Sequence, residues 1–433
     1  MTRFHFARTA TAVSALSLLL AVNAGAADLP APDTPSPNAS SPNASSMGAT
    51  LDGLLDAGRR LNPSVQAAAL QTAAADAEAS VADALDDPTL RINSDEVDRT
   101  SGPRINKTYI MVEQDFPLWG KRELRRRAAQ AAIDGARGRE RATGLELEER
   151  LKNAYAQYVA ASTALAINGD VQRLDRQMAK NAADRYAQGL GSQGDALLAA
   201  ADAARTEVEA TRLTADRTAA MARLNVLLAR PADTPLAPPA GARPLPKATP
   251  SLTVLVDRAQ ADNPLLAAGA AEVRGAEQER HLAARAWYPD LTLSVGAIQR
   301  DNGPTGYTAT IGFKIPLQAE PKRAKEREAV AKANASRQSL AATAADIEGD
   351  LAQSLADLTA IRQQLGIYRA QLLPDLGTAH EAALAAYGRG QGSLAAVLEA
   401  EHRLHQARLD LLRIEVQGQR ALAALERLVG GPL

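Results

Sequence analysis

Residues 387–401 read YGRGQGSLAAVLEAE, and residues 186–200 read YAQGLGSQGDALLAA. The two stretches lie 201 positions apart and share Tyr, two Gly, Ser, Leu and Ala in matching places. Each reads as a turn followed by the start of a helix, with glycines supplying backbone conformations that residues with a Cβ resist. A turn written twice, half a chain apart, raises the question of whether the whole chain is written twice.

The landmarks answer it. Asn62-Pro63 is matched by Asn263-Pro264, Pro88 by Pro289, Tyr186 by Tyr387 and Pro231 by Pro432, all at an offset of 201, while Pro117-Leu118 and Pro316-Leu317 stand 199 apart. Such constant spacing marks an internal duplication. The Pro-rich stretch RPADTPLAPPAGARPLPKATP, which starts at Arg230, separates the halves. We therefore expect a first repeat at 51–230, a linker at 231–250 and a second repeat at 251–433.

The 433 residues carry a formal net charge of −1 and no cysteine. Disulfides, thiolate metal sites and Cys nucleophiles are thereby excluded, and there is no electrostatic argument for nucleic acid. Arg3 and Arg8 precede the apolar run ATAVSALSLLLAV and the small-residue pattern NAGAA, which predicts a secretory signal peptide over 1–27. Residues 28–50, rich in Pro, Ser and Asn, read as a disordered arm. No later stretch reaches the roughly eighteen apolar residues of a membrane-spanning helix. An exported chain of this kind enters a membrane only as a β-barrel.

Within each half the pattern is helix, two strands, long helix, shorter helix. PTLRINSDEVDRTSGPRINKTYIMVEQDFPL reads as a hairpin around Gly-Pro, and PDLTLSVGAIQ with YTATIGFKIPL repeats it. In the last strand Tyr307, Ala309, Ile311, Phe313 and Ile315 face one way, suited to lipid, while Thr308, Thr310, Gly312 and Lys314 face the other. From Gly120 to Gln188 no proline interrupts a helical pattern, and about 70 residues at 1.5 Å each give roughly 100 Å. Two shorter helices end to end match that length, and Pro374 predicts a kink or break in the second long helix. A rod of that length has no ordinary place in a globular domain. Four strands cannot close a useful barrel, so several chains must contribute, and three give about twelve strands.

These features resemble the outer membrane efflux protein family typified by TolC, over essentially the whole chain from about Leu51 to Pro432. The hairpin exit QDFPLWGKRELRRRAAQ is similar to the heavy-metal, CzcC-like branch. The resemblance implies a mainly α fold with a trimeric twelve-stranded barrel and a periplasmic α-helical tunnel. It implies an outer-membrane channel, a passive exit duct for substrates, metal cations in this branch. These would be delivered by an inner-membrane resistance-nodulation-division pump through a periplasmic adaptor, with outer-membrane lipid around the barrel. Neither enzymatic activity nor a cofactor is implied. A duct for drugs or for type I protein secretion is the alternative, and a periplasmic adaptor a further one.

In that family the tips close the tunnel, with acidic residues nine and twelve positions after the tip Tyr. Here Tyr387 matches the Tyr, Ala396 takes the first acidic position and Glu399 the second, while Asp195 lies nine residues after Tyr186. The resemblance therefore places a gate at Tyr186, Gly189, Gly191, Asp195, Tyr387, Gly390, Gly392 and Glu399. Asp195 and Glu399 also suit a plain reading as solvated acids near helix starts. His402 and His405, three apart on a helix, are candidate metal ligands without a closed set. The basic run Lys121–Arg127 reads as the start of the helix that leaves the membrane.

Overall fold

The computed structural model describes residues 47–98, 104–246, 248, 250–300 and 303–433. The expected signal peptide and most of the expected arm lie outside the described residues. The first repeat runs α1 (Leu51–Leu61), α2 (Pro63–Val81), β1 (Thr89–Asp98), β2 (Arg104–Phe116), α3 (Lys121–Ala187) and α4 (Gln193–Leu227). The second runs α5 (Leu252–Asp262), α6 (Pro264–Ala284), β3 (Asp290–Arg300), β4 (Gly306–Lys314), α7 (Ala319–Ile367), α8 (Leu373–Gly388) and α9 (Leu394–Val429).

Two details differ from the sequence reading. Each repeat opens on a short extra helix ahead of Asn-Pro, and the first repeat's following helix, which the Ala-rich sequence up to Pro88 would allow to run on, stops at Val81. Its end tightens into three-residue turns, Ala82 N–H to Ala79 O and Ala84 N–H to Val81 O, and the residue before Pro88 is biased away from helix.

Asn62 and Asn263 are the joints. Each ends one helix and starts the next, with proline at the first helical position, where a missing N–H costs nothing. The Asn62 Oδ1 accepts from Ser64 N–H at 2.9 Å, and the Asn263 Oδ1 accepts from Leu265 N–H at 2.8 Å. The amide nitrogens reach across the repeat to the far end of its last helix. Asn62 Nδ2 donates to Leu227 O at 2.9 Å and Asn263 Nδ2 to Leu428 O at 2.7 Å.

Matching cores pack behind the joints. Leu54, Leu151, Tyr158, Leu224 and Leu228 are buried together in the first repeat, and Leu255, Leu351, Leu358, Leu425 and Val429 in the second. The Pro-rich connection lies on these cores rather than apart from them. Tyr158 donates its hydroxyl proton to Ala237 O, Leu236 is buried, and Ala237 and Ala240 donate backbone N–H groups to Met47 O and Ala49 O. Met47–Thr50, at the end of the expected arm, are thereby held in place. Arg243 of the same segment pairs with the buried Glu426, which Lys152 also reaches at 3.0 Å. These two cations hold the Glu426 carboxyl below the usual range against the opposing effect of burial.

The long helix of the first repeat is unbroken over 67 residues, roughly 100 Å at 1.5 Å per residue. Its counterpart is interrupted by a π turn at Tyr368–Leu372, just before Pro374. Proline cannot donate to the preceding turn, and a π turn holds extra chain. The offset between repeats grows from 199 to 201 across this helix.

The four strands form one antiparallel sheet in the order β1-β2-β3-β4. Its register sets Ile92, Ile110, Ala297 and Tyr307 in one row, then Leu90, Val112, Val295 and Ala309, then Leu293 beside Ile311, and Leu291 beside Phe313. Strand alternation puts these rows on one face and Arg91, Thr89, Glu113, Ser294, Thr308 and Thr310 on the other. β1 and β4 remain unpaired edges of the single chain.

One backbone detail is testable. α4 and α9 end in the same motif, but the left-handed position is Ala229 (φ 53°) in the first and Gly430 (φ 93°) in the second. A Cβ there costs about 1–2 kcal/mol, partly offset by the greater freedom glycine has when unfolded. Ala229→Gly is expected to stabilise the chain by up to about 1 kcal/mol. Gly430→Ala is expected to destabilise it by more, because its Cβ would lie 2.5 Å from Asp262 O. Thermal unfolding of the two variants checks the opposite signs.

Candidate functional site

The two tips are built alike. α3 ends with Leu190 N–H donating to Arg185 O at 2.8 Å and Gly189 N–H to Tyr186 O at 2.9 Å; at the end of α8, Gln391 N–H reaches Ala386 O at 2.9 Å and Gly390 N–H reaches Tyr387 O at 3.0 Å. This paired closure needs one left-handed residue after the helix, and Gly189 and Gly390 both have φ of +72°. Gly191 and Gly392 serve a different need. A Cβ on them would meet Arg185 Cβ at 3.2 Å and Tyr387 N at 3.1 Å, so their smallness lets the chain fold back on the helix end. Ser192 and Ser393 then cap the following helices, their hydroxyls accepting from Asp195 N–H and Ala396 N–H.

The fold brings both tips together. Met178 and Ala182 of α3, Ala199 of α4, and Leu394, Val397 and Leu398 of α9 share one small core, with Tyr387 against it. The Arg185 guanidinium lies over the Tyr387 ring, 5.7 Å from its centroid, while Tyr186 is exposed. Asp195 sits in the first turn of α4, where the helix dipole favours an anion. Glu399 is exposed and accepts from Arg403 Nε at 2.6 Å, one turn along α9. An exposed pair of this spacing contributes only about 0.3–0.5 kcal/mol, so Arg403 does not lock the carboxylate away.

His402 and His405 lie at different depths. His402 is exposed with its Nδ1 3.2 Å from Arg205 Nη2, whereas His405 is buried with neither ring nitrogen bonded. Burial pushes the His405 imidazole below its ordinary range. Among the described residues no three ligating side chains converge.

At the sheet, Tyr307, Ile311 and Phe313 stand exposed on the apolar face. Trp119, Trp287 and Tyr288 lie where the strands meet the helices, the Trp119 and Tyr288 rings 5.3 Å apart. Trp119 Nε1 donates to Pro289 O at 2.7 Å. Lys121, first of the basic run, is buried and held by Asp290 at 2.8 Å and by Tyr288 O at 3.0 Å. Arg126 and Arg127 pair with Glu123.

The sequence reading missed an interior polar cluster. Asp175 of α3 and Glu401 of α9 are almost wholly buried, with Asp202 and Thr206 of α4 beside them. The signal was there in the duplication: at an offset of 201 Asp175 corresponds to Leu376, Glu401 to Ala200 and His405 to Ala204.

Comparison with known proteins fits this geometry. The family model for outer membrane efflux proteins matches residues 54–230 and 255–431. The cobalt-zinc-cadmium resistance protein CzcC of Cupriavidus metallidurans is 26% identical over 408 residues, covering 88% of this chain and 90% of that protein. Among solved structures, CusC superposes with a TM-score of 0.75 at 18% identity, over 88% of this chain and 92% of its own. The outer membrane protein VceC of Vibrio cholerae gives a TM-score of 0.73 at 20% identity, over 88% and 96%.

The turn geometry predicts how the tip fails. A β-branched residue at the left-handed position costs at least about 1–2 kcal/mol. Gly390→Val is expected to speed amide hydrogen exchange at position 390 and at Gln391, whose N–H groups close the turn. Exchange at Leu151 and Tyr158, in the distant core, is expected to stay as in the unsubstituted chain.

Proposed function

The chain belongs to the outer membrane efflux protein family, and on that premise we propose that it is the exit duct of a divalent-cation efflux system, gated at its helical tips. As a family member it is an outer-membrane channel reaching into the periplasm, one component of a tripartite efflux system with an adaptor and an inner-membrane pump. It assembles as a trimer and is a duct, not an enzyme. Three copies of a four-stranded sheet supply twelve strands, and closing them removes edges that lipid does not tolerate.

The observation that carries the cation reading is the near full-length likeness to a protein named for cobalt, zinc and cadmium resistance. The tip chemistry agrees with it. Glu399 and Asp195 lie beside the shared tip core, and threefold symmetry would multiply each into a ring. Carboxylates confined between low-dielectric walls concentrate cations and repel anions. The pump, of the resistance-nodulation-division class, supplies the energy, and the tip turns receive the adaptor.

The membrane reading rests on the apolar sheet face together with Trp119, Trp287 and Tyr288 at its helical end, since aromatic rings favour the membrane boundary. In this reading Tyr307, Ile311 and Phe313 touch lipid while Thr308 and Thr310 line the lumen. A charge at the bilayer midplane on the lipid face costs about 2–4 kcal/mol. Ile311→Arg is therefore expected to reduce assembled trimer in outer-membrane fractions far more than Thr310→Arg. Equal assembly would reject this assignment of faces.

The cargo and the gate can be tested together. Cells expressing the chain with its own pump and adaptor are expected to accumulate less zinc, cobalt and cadmium than cells lacking it. Glu399→Gln keeps the shape while removing three charges per trimer, and in planar bilayers it is expected to lower cation preference. Unchanged metal accumulation, with drug accumulation reduced instead, would reject the metal cargo. Unchanged ion preference would remove Glu399 from the gate.

A further inference from the structure

The cluster between the two repeats contains acids that nothing neutralises. Asp175 is 1% exposed and Glu401 6%. Both Asp175 carboxylate oxygens and Oε2 of Glu401 lack a hydrogen-bond donor. Arg205, the cation that acts on Asp175, is committed to Asp202 at 2.8 Å and to His402. The Thr206 hydroxyl lies within reach but donates to its own helix, to Ala203 O at 3.0 Å. Two buried carboxylates side by side, with no donor between them, are not a stable arrangement.

One proton changes this. A carboxyl group has an O–H donor that a carboxylate lacks, so protonating one of the two gives the other a partner. We infer that Asp175 and Glu401 share a single proton, and that this shared proton locks the start of α9 against α3 and α4. The lock joins the first repeat to the last helix of the second. Leu376 and Ala200 stand at the corresponding positions of the other repeat, so packing alone does not demand acids here.

The surrounding charges favour the protonated form. Desolvation, then Asp175 and Asp202, push the Glu401 carboxyl up to about 8, and burial raises Asp175 as well. From α4, Asp202 and Arg205 face the pair and Glu209 acts on His405; on α9, His405 follows one turn on, with His402 and Arg408 near it. Glu401 ordinarily titrates at 4.5. Between there and about 8 the folded chain therefore holds a proton that the unfolded chain has released. Stability from this pair is complete below the lower value, falls as pH rises through the window, and levels off above it. The lowered His405 acts with the opposite sign, on the acid side of 6.5.

The lock concerns helix packing and does not depend on which residue gates the channel or on the cargo. The test uses the full-length trimer in detergent. Infrared spectra are expected to show a protonated-carboxyl band at pH 6.5 that fades by pH 9.5 and is missing in Glu401→Gln. Thermal midpoints are expected to fall from pH 5 to pH 9 in the unsubstituted protein, with that fall largely lost in Glu401→Gln. Above pH 8, amide exchange over Leu394–His405 is expected to accelerate beyond the intrinsic base effect, again only when Glu401 is present. Should Glu401→Gln fail to assemble, Asp175→Asn serves instead: its amide can donate to Glu401 and one repelling charge is gone, so the band is expected to fade at a lower pH than in the unsubstituted protein. Absence of the band at pH 6.5, or an equal pH slope in the variants, would overturn the shared proton.

Discussion

The arrangement depends on two asparagine side chains. Asn62 and Asn263 each do three things at once: they end a helix, start the next, and bond the carbonyl of a helix end that lies 165 residues further along. The last carbonyls of a helix have no partner of their own, so the amide nitrogen satisfies a group that would otherwise need water. The distance set by this clasp fixes where α4 and α9 stop relative to the long helices. Two short helices in line then run beside one long helix, and the strands are carried at one end with the tip turns at the other. Lose the clasp and the register between those two ends is no longer specified.

Duplication supplies two copies of this frame, and the differences between them are where the copies have separate duties. The first long helix is continuous, whereas the second carries a π turn before Pro374. The first tip has an exposed Tyr186, whereas Tyr387 packs into the shared core under Arg185. The interface of α9 with the first repeat holds acids whose counterparts are leucine and alanine. A symmetric pair of hairpins would place equivalent chemistry at both tips. This chain places an acid of its own on each rim, half-buried Asp195 on one and exposed Glu399 on the other, and buried ones on a single seam.

Much of this was legible in the residues. The offset of 201, the proline boundaries and the alternation from Tyr307 to Ile315 are direct records of repeats, helix ends and a two-faced strand. The end of α2 at Val81 was not legible, because an alanine-rich stretch is compatible with helix until local three-residue turns compete. Nor was the burial of Lys121; in sequence it heads a basic run, and only the fold delivers Asp290 across 169 residues. The division between His402 and His405 was hidden as well, since spacing of three on a helix fixes a shared side and says nothing of how deep each residue lies. Burial is set by the neighbouring helices, and no single helix records them.

The same limit explains why Glu399 and Glu401 differ. Two residues along an α-helix turn the side chain through about 200°, so one glutamate faces solvent when the other faces the seam. Glu399 keeps its side chain 57% exposed and meets an arginine at the surface. There water and salt screen it, and its influence extends roughly a Debye length, about 8 Å at physiological ionic strength. Glu401, with its environment closed to water, cannot be compensated by ions and must find its counter-charge in a proton. Its ionisation is therefore tied to whether α9 stays packed, and a shift in pH reaches the helix that bears Glu399 through the packing rather than through the field.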